Sequence, residues 1–225
     1  RRRVLQRRRR VHPHLESLER ELGVDGRPRR PVLRRVREWV ARGRARDRGA
    51  AVGRVGMHVL SKHCAATPKL QLLELRGSSI GHMGAAMLAR GLELHPSLTH
   101  LGIARNGIDT PALTAILQAL RASPLRYLDL EWNGVDNAGA AAVAKFLASD
   151  ECELRTVSLE RNDIRPSGAA SIAKALATNA TLRNLNLGFN RIGNGGAVAI
   201  AEALCGDGNG TLLTLNLTQN DIGAE

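Results

Sequence analysis

One spacing constrains this chain more than any other feature. With L standing for a large aliphatic residue, the pattern LxxLxLxxNxI begins at Leu70 (LQLLELRGSSI), Leu98 (LTHLGIARNGI), Leu125 (LRYLDLEWNGV), Leu154 (LRTVSLERNDI), Leu182 (LRNLNLGFNRI) and Leu212 (LLTLNLTQNDI). Successive starts lie 28, 27, 29, 28 and 30 residues apart. A unit of that length cannot bury an apolar face alone, so the period calls for a stack in which each unit covers its neighbour.

Within each unit the hydrophobic period changes. LxLxx alternates as a strand with one buried face does. The second half carries small and aliphatic residues at helical spacing: Ala85, Leu88, Ala89 and Leu92; Ala138, Ala142, Val143, Phe146 and Leu147; Ala169, Ile172, Ala173 and Leu176; Ala197, Ile200, Ala201 and Leu204. Gly84, Gly139, Gly168 and the Gly195–Gly196 pair read as helix breakers at the point where the chain enters each helix. Pro111 and Pro166 share that region, and a first helical turn tolerates proline. The ninth position of the pattern is Asn106, Asn133, Asn162, Asn190 and Asn220 in five units and Ser78 in the first. After a short strand the backbone turns and loses its ladder partners, so a buried carboxamide that both donates and accepts satisfies it. A departure at Ser78 suits an end unit.

These units resemble leucine-rich repeats of the ribonuclease-inhibitor-like subfamily. That long-repeat type is also found in the Ran GTPase-activating protein, in the sensor region of NOD-like receptors and in an axonemal dynein regulatory complex subunit. The resemblance covers residues 70–225 and implies an α/β fold: a leucine-rich repeat solenoid with a concave parallel sheet and convex helices. Ribonuclease inhibitor itself differs, because its repeats alternate two types and favour Cys at the ninth position. The sixth repeat reaches Glu225 where its helix is due, so its sheet edge is expected to continue in further sequence or to be covered by a partner.

Residues 50–69 read as an N-terminal capping half-repeat. Leu60 precedes Leu70 by the same ten residues that separate Leu88 from Leu98, which predicts a helix over roughly 51–65. Residues 1–49 read as an Arg-rich helical arm. One helical stripe there holds Val32, Leu33, Val36, Trp39 and Val40, and another holds Leu15, Leu18 and Leu22, with Trp39 in the core of this small cap.

In the repeat template, positions 1, 4, 6, 9 and 11 face the core, 3, 5 and 7 lie on the concave face, and 8 lies at its rim. The chain has only two Trp, one Tyr and two Phe, yet Tyr127 takes position 3 and Trp132 and Phe189 take position 8. Exposed aromatics are common interface anchors because each buries a large area at low rotamer cost. Glu74, Asp129, Glu131 and Glu160 occupy positions 5 or 7, with Arg105 and Arg161 on the rim. The expectation is an acidic floor edged by aromatics and arginines. Tyr127, Asp129, Glu131, Trp132, Glu160, Arg161 and Phe189 are the candidate protein-binding residues. Packing of Trp132 and Phe189 against neighbouring loops, with the charges as a solvated face, is the alternative.

The formal charge of +12 is uneven. Residues 1–54 hold 19 arginines and six acids, while the remaining 171 hold 14 basic and 15 acidic groups, so the excess belongs to the N-terminal segment. Arg1, Arg2, Arg3, Arg7, Arg8, Arg9 and Arg10 crowd into the first ten positions. Such density repels itself and stays solvated until it meets an anion. An acidic protein surface, nucleic acid and a plain solvated or nuclear-address segment all remain open for it. Base-specific reading is disfavoured, since the segment lacks Tyr and Phe for stacking and has no zinc-finger or helix-turn-helix signature.

Other motifs carry no chemistry. GSSIG at 77–81 has the spelling of a nucleophile elbow but falls in a repeat turn. GDGNG at 206–210 lacks the Lys-Ser/Thr of a phosphate loop. The histidines show no zinc-ligand spacing. Asn179, Asn209 and Asn216 head glycosylation sequons. Three scattered cysteines form no disulfide framework and suit a reducing compartment, and no apolar run approaches the ~18 residues of a membrane span. No cofactor, metal, membrane or small-molecule substrate is expected.

Function follows as a non-enzymatic protein–protein interaction module or scaffold. It would bind a protein on its concave face and an acidic surface through the arm, as a subunit of a larger assembly such as a ciliary axoneme complex. The alternative is a GTPase-activating regulator of a Ran-like small GTPase, which the resemblance alone implies. The expected compartment is cytoplasmic or cytoskeletal, a cilium included, with organelle import left open by the Arg-rich start.

Overall fold

A computed structural model describes residues 57–58, 60–62, 64–66, 68–205 and 209–223. The arm from Arg1 to Arg10, the helical stripes of residues 1–49 and most of the expected 51–65 helix lie outside the described residues. Residues 57, 58, 60–62 and 64–66 are helical. From there the chain runs β1 (Leu72–Glu74), α1 (Gly81–Leu92), β2 (His100–Gly102), α2 (Thr110–Ala119), β3 (Tyr127–Asp129), α3 (Asn137–Leu147), β4 (Thr156–Ser158), α4 (Pro166–Leu176), β5 (Asn184–Asn186), α5 (Gly193–Leu204) and β6 (Thr214–Asn216). The six strands form one parallel sheet in sequence order, so each pairs only with the repeats before and after it. The register is constant: Leu73, Leu101, Leu128, Val157, Leu185 and Leu215 form one row across the sheet. This is the solenoid that the resemblance to leucine-rich repeats implies.

Strands of three residues offer few ladder bonds, and the carboxamide at position 9 supplies the rest. The Asn106 amide nitrogen donates to the carbonyls of Leu75 (2.9 Å), Ile103 (2.8 Å) and Ala104 (2.9 Å). Its oxygen accepts from the N–H groups of Ser78 at 2.9 Å and Ile80 at 3.3 Å. Each asparagine thus ties its own turn to the preceding one. Asn133 accepts from Asn106 and Ile108, and Asn162 accepts from Asn133 and Val135, which chains the repeats together. Asn106, Asn133, Asn190 and Asn220 are buried, while Asn162 makes the same bonds half-buried. Ser78 cannot reach back this way, and its hydroxyl is buried without a partner.

The core is built from Leu, Ile, Val and Ala, with Phe146 the one buried aromatic among the described residues. The early glycines are not helix breakers. Gly84, Gly139, Gly168 and Gly196 lie inside helices and are buried. A Cβ on Gly84 or Gly139 would come within 2.8 Å of a side-chain carbon of Ile80 or Val135, the position-11 residue four places earlier. Their role is close packing of helix on turn. The inward stripe of α3 also differs from expectation. Ala138 is exposed and Ala142 half-buried, and Ala140 and Ala144 face the core with Val143 and Leu147. Runs of alanine leave the phase of a helix undetermined until packing sets it. In α5, Gly196 and Ile200 are the buried residues, and Leu212, Leu215 and Leu217 of the sixth repeat are half-exposed.

Replacing Asn133 by Ala should cost roughly 1–3 kcal/mol, because three carbonyls and two N–H groups lose their partner away from water. Chemical denaturation would show it as a lower midpoint, and an unchanged midpoint would mean that water satisfies these groups.

Candidate functional site

The turn after each strand is the origin of the site. To hand the chain from strand to buried asparagine, position 8 adopts the left-handed region in every repeat: φ is 64° at Gly77, 57° at Arg105, 55° at Trp132, 56° at Arg161, 55° at Phe189 and 57° at Gln219. Glycine takes that conformation freely, whereas a side chain raises its cost. Gly77 shows that the turn accepts glycine. The next four repeats nevertheless carry Arg, Trp, Arg and Phe there, with Trp132 49% and Phe189 41% exposed.

Parallel register brings these four side chains into one stack. The Arg105 guanidinium lies 4.8 Å from the Trp132 ring centroid, Arg161 lies 5.0 Å from the same ring, and Arg161 lies 4.4 Å from the Phe189 ring. Trp132 is therefore held between two cations. Each cation–π contact contributes about 0.5–1 kcal/mol at an exposed site, which offsets part of the backbone cost. The stack fixes the rings in place before any partner arrives.

Below the rim the floor differs from a plain acidic patch. Asp129 is buried, 8% exposed, rather than displayed. Arg76, at position 7 of the first repeat, reaches across to Asp129 at 3.2 Å and Glu131 at 2.6 Å. Burial raises the Asp129 carboxyl above its usual range, while the Glu131 N–H and the Arg76 charge pull the other way. The bond from Glu131 in turn raises the Arg76 guanidinium. Glu131 also meets Arg105 at 3.5 Å, and Glu160 accepts from Asn186 at 2.8 Å and meets Arg161 at 3.4 Å. Tyr127 is half-buried and stacks on His100 with centroids 5.8 Å apart; burial and the neighbouring acids push its hydroxyl pKa up. Arg76, Tyr127, Asp129, Glu131, Glu160 and Asn186 line a shallow basin of ≈ 450 Å³ that continues over Ser158, Asn184 and Asn216.

Of the sequence-predicted residues, Trp132, Arg161 and Phe189 share the rim, and Tyr127, Asp129, Glu131 and Glu160 line the basin. The sequence reading missed Arg76, which pairs with two acids of the floor. It also gave Asn179 and Asn209 no structural role, noting them only as the heads of sequons. Asn179 donates to Leu147 O at 2.7 Å and accepts from Leu182 N at 2.8 Å. Asn209 does the same with Leu176 O and Leu212 N, both at 2.8 Å. The signal was their equal distance, three residues, before the next repeat's first leucine.

Comparison with known proteins agrees with this geometry. A family profile described as Leucine Rich repeat matches residues 122–144, 152–173, 178–201 and 208–225. Ribonuclease inhibitor of Sus scrofa is 29% identical over 173 residues, covering 75% of this chain and 37% of that protein. Its repeats are similar to leucine-rich repeats of the ribonuclease-inhibitor-like type. NACHT, LRR and PYD domains-containing protein 12 of Homo sapiens is 28% identical over 148 residues, 64% of this chain and 14% of its own length. The repeat protein thus spans well under half of each relative. A solved structure of leiomodin-1 actin-binding site 2 aligns with 70% of the chain and 76% of its own, at 20% identity and a TM-score of 0.41.

Substituting both Trp132 and Phe189 of the repeat protein by Gly should change stability by about 1 kcal/mol or less per site. Relief of the left-handed strain works against loss of the cation–π contacts and a more flexible unfolded chain. A loss above about 3 kcal/mol in thermal unfolding, the range of large core truncations, would show these rings to be packing residues.

Proposed function

We propose that the repeat protein is a non-enzymatic interaction module that grips a protein partner through the Trp132–Phe189 rim and the adjoining concave basin. The observation that carries this reading is the pair of half-exposed aromatics held in left-handed backbone where Gly77 shows that glycine suffices. The fold imposes the backbone conformation, but a bulky exposed ring in place of glycine there is unneeded for folding, and strained positions cluster at functional sites. Pre-stacked rings suit a hot spot, since their rotamer freedom is already lost before binding. Glu131 and Glu160 ring the anchors with acceptors for polar contacts of the partner. Membership of a larger assembly, with an axonemal complex as the example, draws its support from the resemblance of the repeats.

Capture of partners from extract by the full chain, compared with Trp132→Gly/Phe189→Gly, tests this. A partner held by wild type should weaken by a few kcal/mol, on the order of a hundredfold, in the variant. Equal capture by both proteins would place binding elsewhere. Accelerated GTP hydrolysis when a Ran-like GTPase is mixed with the chain would establish the regulator reading instead.

A further inference from the structure

Position 2 of the repeat, the residue just before each strand, forms a second row along the opposite border of the sheet from the rim. Its main chain is continuous from repeat to repeat: Arg126 N donates to Thr99 O at 2.8 Å, Arg155 N to Arg126 O at 2.9 Å, Arg183 N to Arg155 O at 2.9 Å and Leu213 N to Arg183 O at 2.7 Å. Three consecutive repeats therefore set Arg126, Arg155 and Arg183 side by side at the spacing of neighbouring strands, about 4.8 Å. All three are exposed. Like charges in adjacent register repel, and the fold does not ask for them, since Gln71, Thr99 and Leu213 hold the same position elsewhere.

Compensation among the described residues is slight. Glu153 approaches Arg126 at 3.6 Å with both side chains about half exposed. Arg155 and Arg183 have no ion pair with any described residue. The nearby Glu151 is paired with Arg121 at 3.7 Å. In the sixth repeat the same position is Leu213, a large apolar side chain that is 72% exposed.

We propose that this border docks an acidic segment of a protein partner, with carboxylates over Arg126, Arg155 and Arg183 and an apolar side chain against Leu213. Guanidinium is planar and presents donors in a fork that matches a carboxylate. Nucleic acid fits the row less well, because sequence-independent strand binding stacks bases on aromatics and the row offers an aliphatic end instead. Six residues separate positions 2 and 8, at most about 20 Å, so one partner can reach both borders across the basin. The inference rests on the reading that the solenoid binds protein.

Fluorescence anisotropy with the full chain at fixed ionic strength tests it. The probes are a labelled peptide of six glutamates followed by two leucines, the same peptide ending in two serines, and an oligothymidylate of equal charge. Arg155→Gln/Arg183→Gln should weaken both peptides about tenfold, whereas Lys145→Gln/Lys174→Gln, exposed on the convex helices α3 and α4, should leave them within about twofold. Leu213→Ser should weaken only the leucine-ended peptide. Arg155→Glu/Arg183→Glu should gain affinity for a hexalysine peptide, a readout that loss of folding cannot mimic. Unchanged peptide affinity in the row variants overturns the proposal, as does oligothymidylate binding more tightly than the peptides through the same arginines. Should the row fail while Trp132→Gly/Phe189→Gly still releases a captured partner, the rim reading stands and the acidic-segment assignment falls.

Discussion

Everything in this solenoid depends on one hydrogen-bonding problem: a strand of three residues must turn out of the sheet inside a packed stack, where water cannot reach its amides. A single carboxamide solves it. The asparagine at position 9 holds three carbonyls and accepts from N–H groups of the preceding repeat, as at Asn106 and Asn133. Because each asparagine joins two turns, the strands cannot slip relative to one another. Constant register across the sheet, and with it every row of side chains on the concave side, follows from that restraint.

The same turn creates the functional opportunity. Entering position 9 requires left-handed backbone at position 8, and the register stacks successive position-8 side chains at strand spacing. Arg105, Trp132, Arg161 and Phe189 thereby become a preassembled alternation of cation and ring. Their backbone conformation is a cost that the fold could avoid with glycine. The acids below are drawn inward by Arg76, leaving a floor that is polar and internally balanced rather than broadly negative. Under the proposed function, recognition then works by specific contact at the rim in place of diffuse attraction to a basic surface.

Much of this was legible in the sequence because repetition multiplies weak signals. One LxLxxN means little; six at a near-constant interval specify strand, turn and helix together, and the rim location of Trp132 and Phe189 followed from counting. What escaped the reading involved contacts between repeats. The glycines looked like breakers because sequence shows their helix propensity and hides the Ile80 and Val135 side chains they accommodate. The facing of Ala138 and Ala142 was ambiguous because alanine fits either side of a helix. Asp129 resembled a displayed acid because its partner, Arg76, is two repeats away in sequence. Arg126, Arg155 and Arg183 carried no assignment from the sequence, and the backbone register sets them in one row.

Placing a photo-reactive benzoylphenylalanine at position 189, and in a second preparation at Lys174 on the convex helix α4, would test the central claim most directly. The account predicts that a bound partner cross-links through position 189 and not through 174, with the adduct competed by unlabelled wild type. Cross-linking through 174 with none at 189 would contradict it, placing recognition on the helices and reducing the rim stack to a feature of the fold.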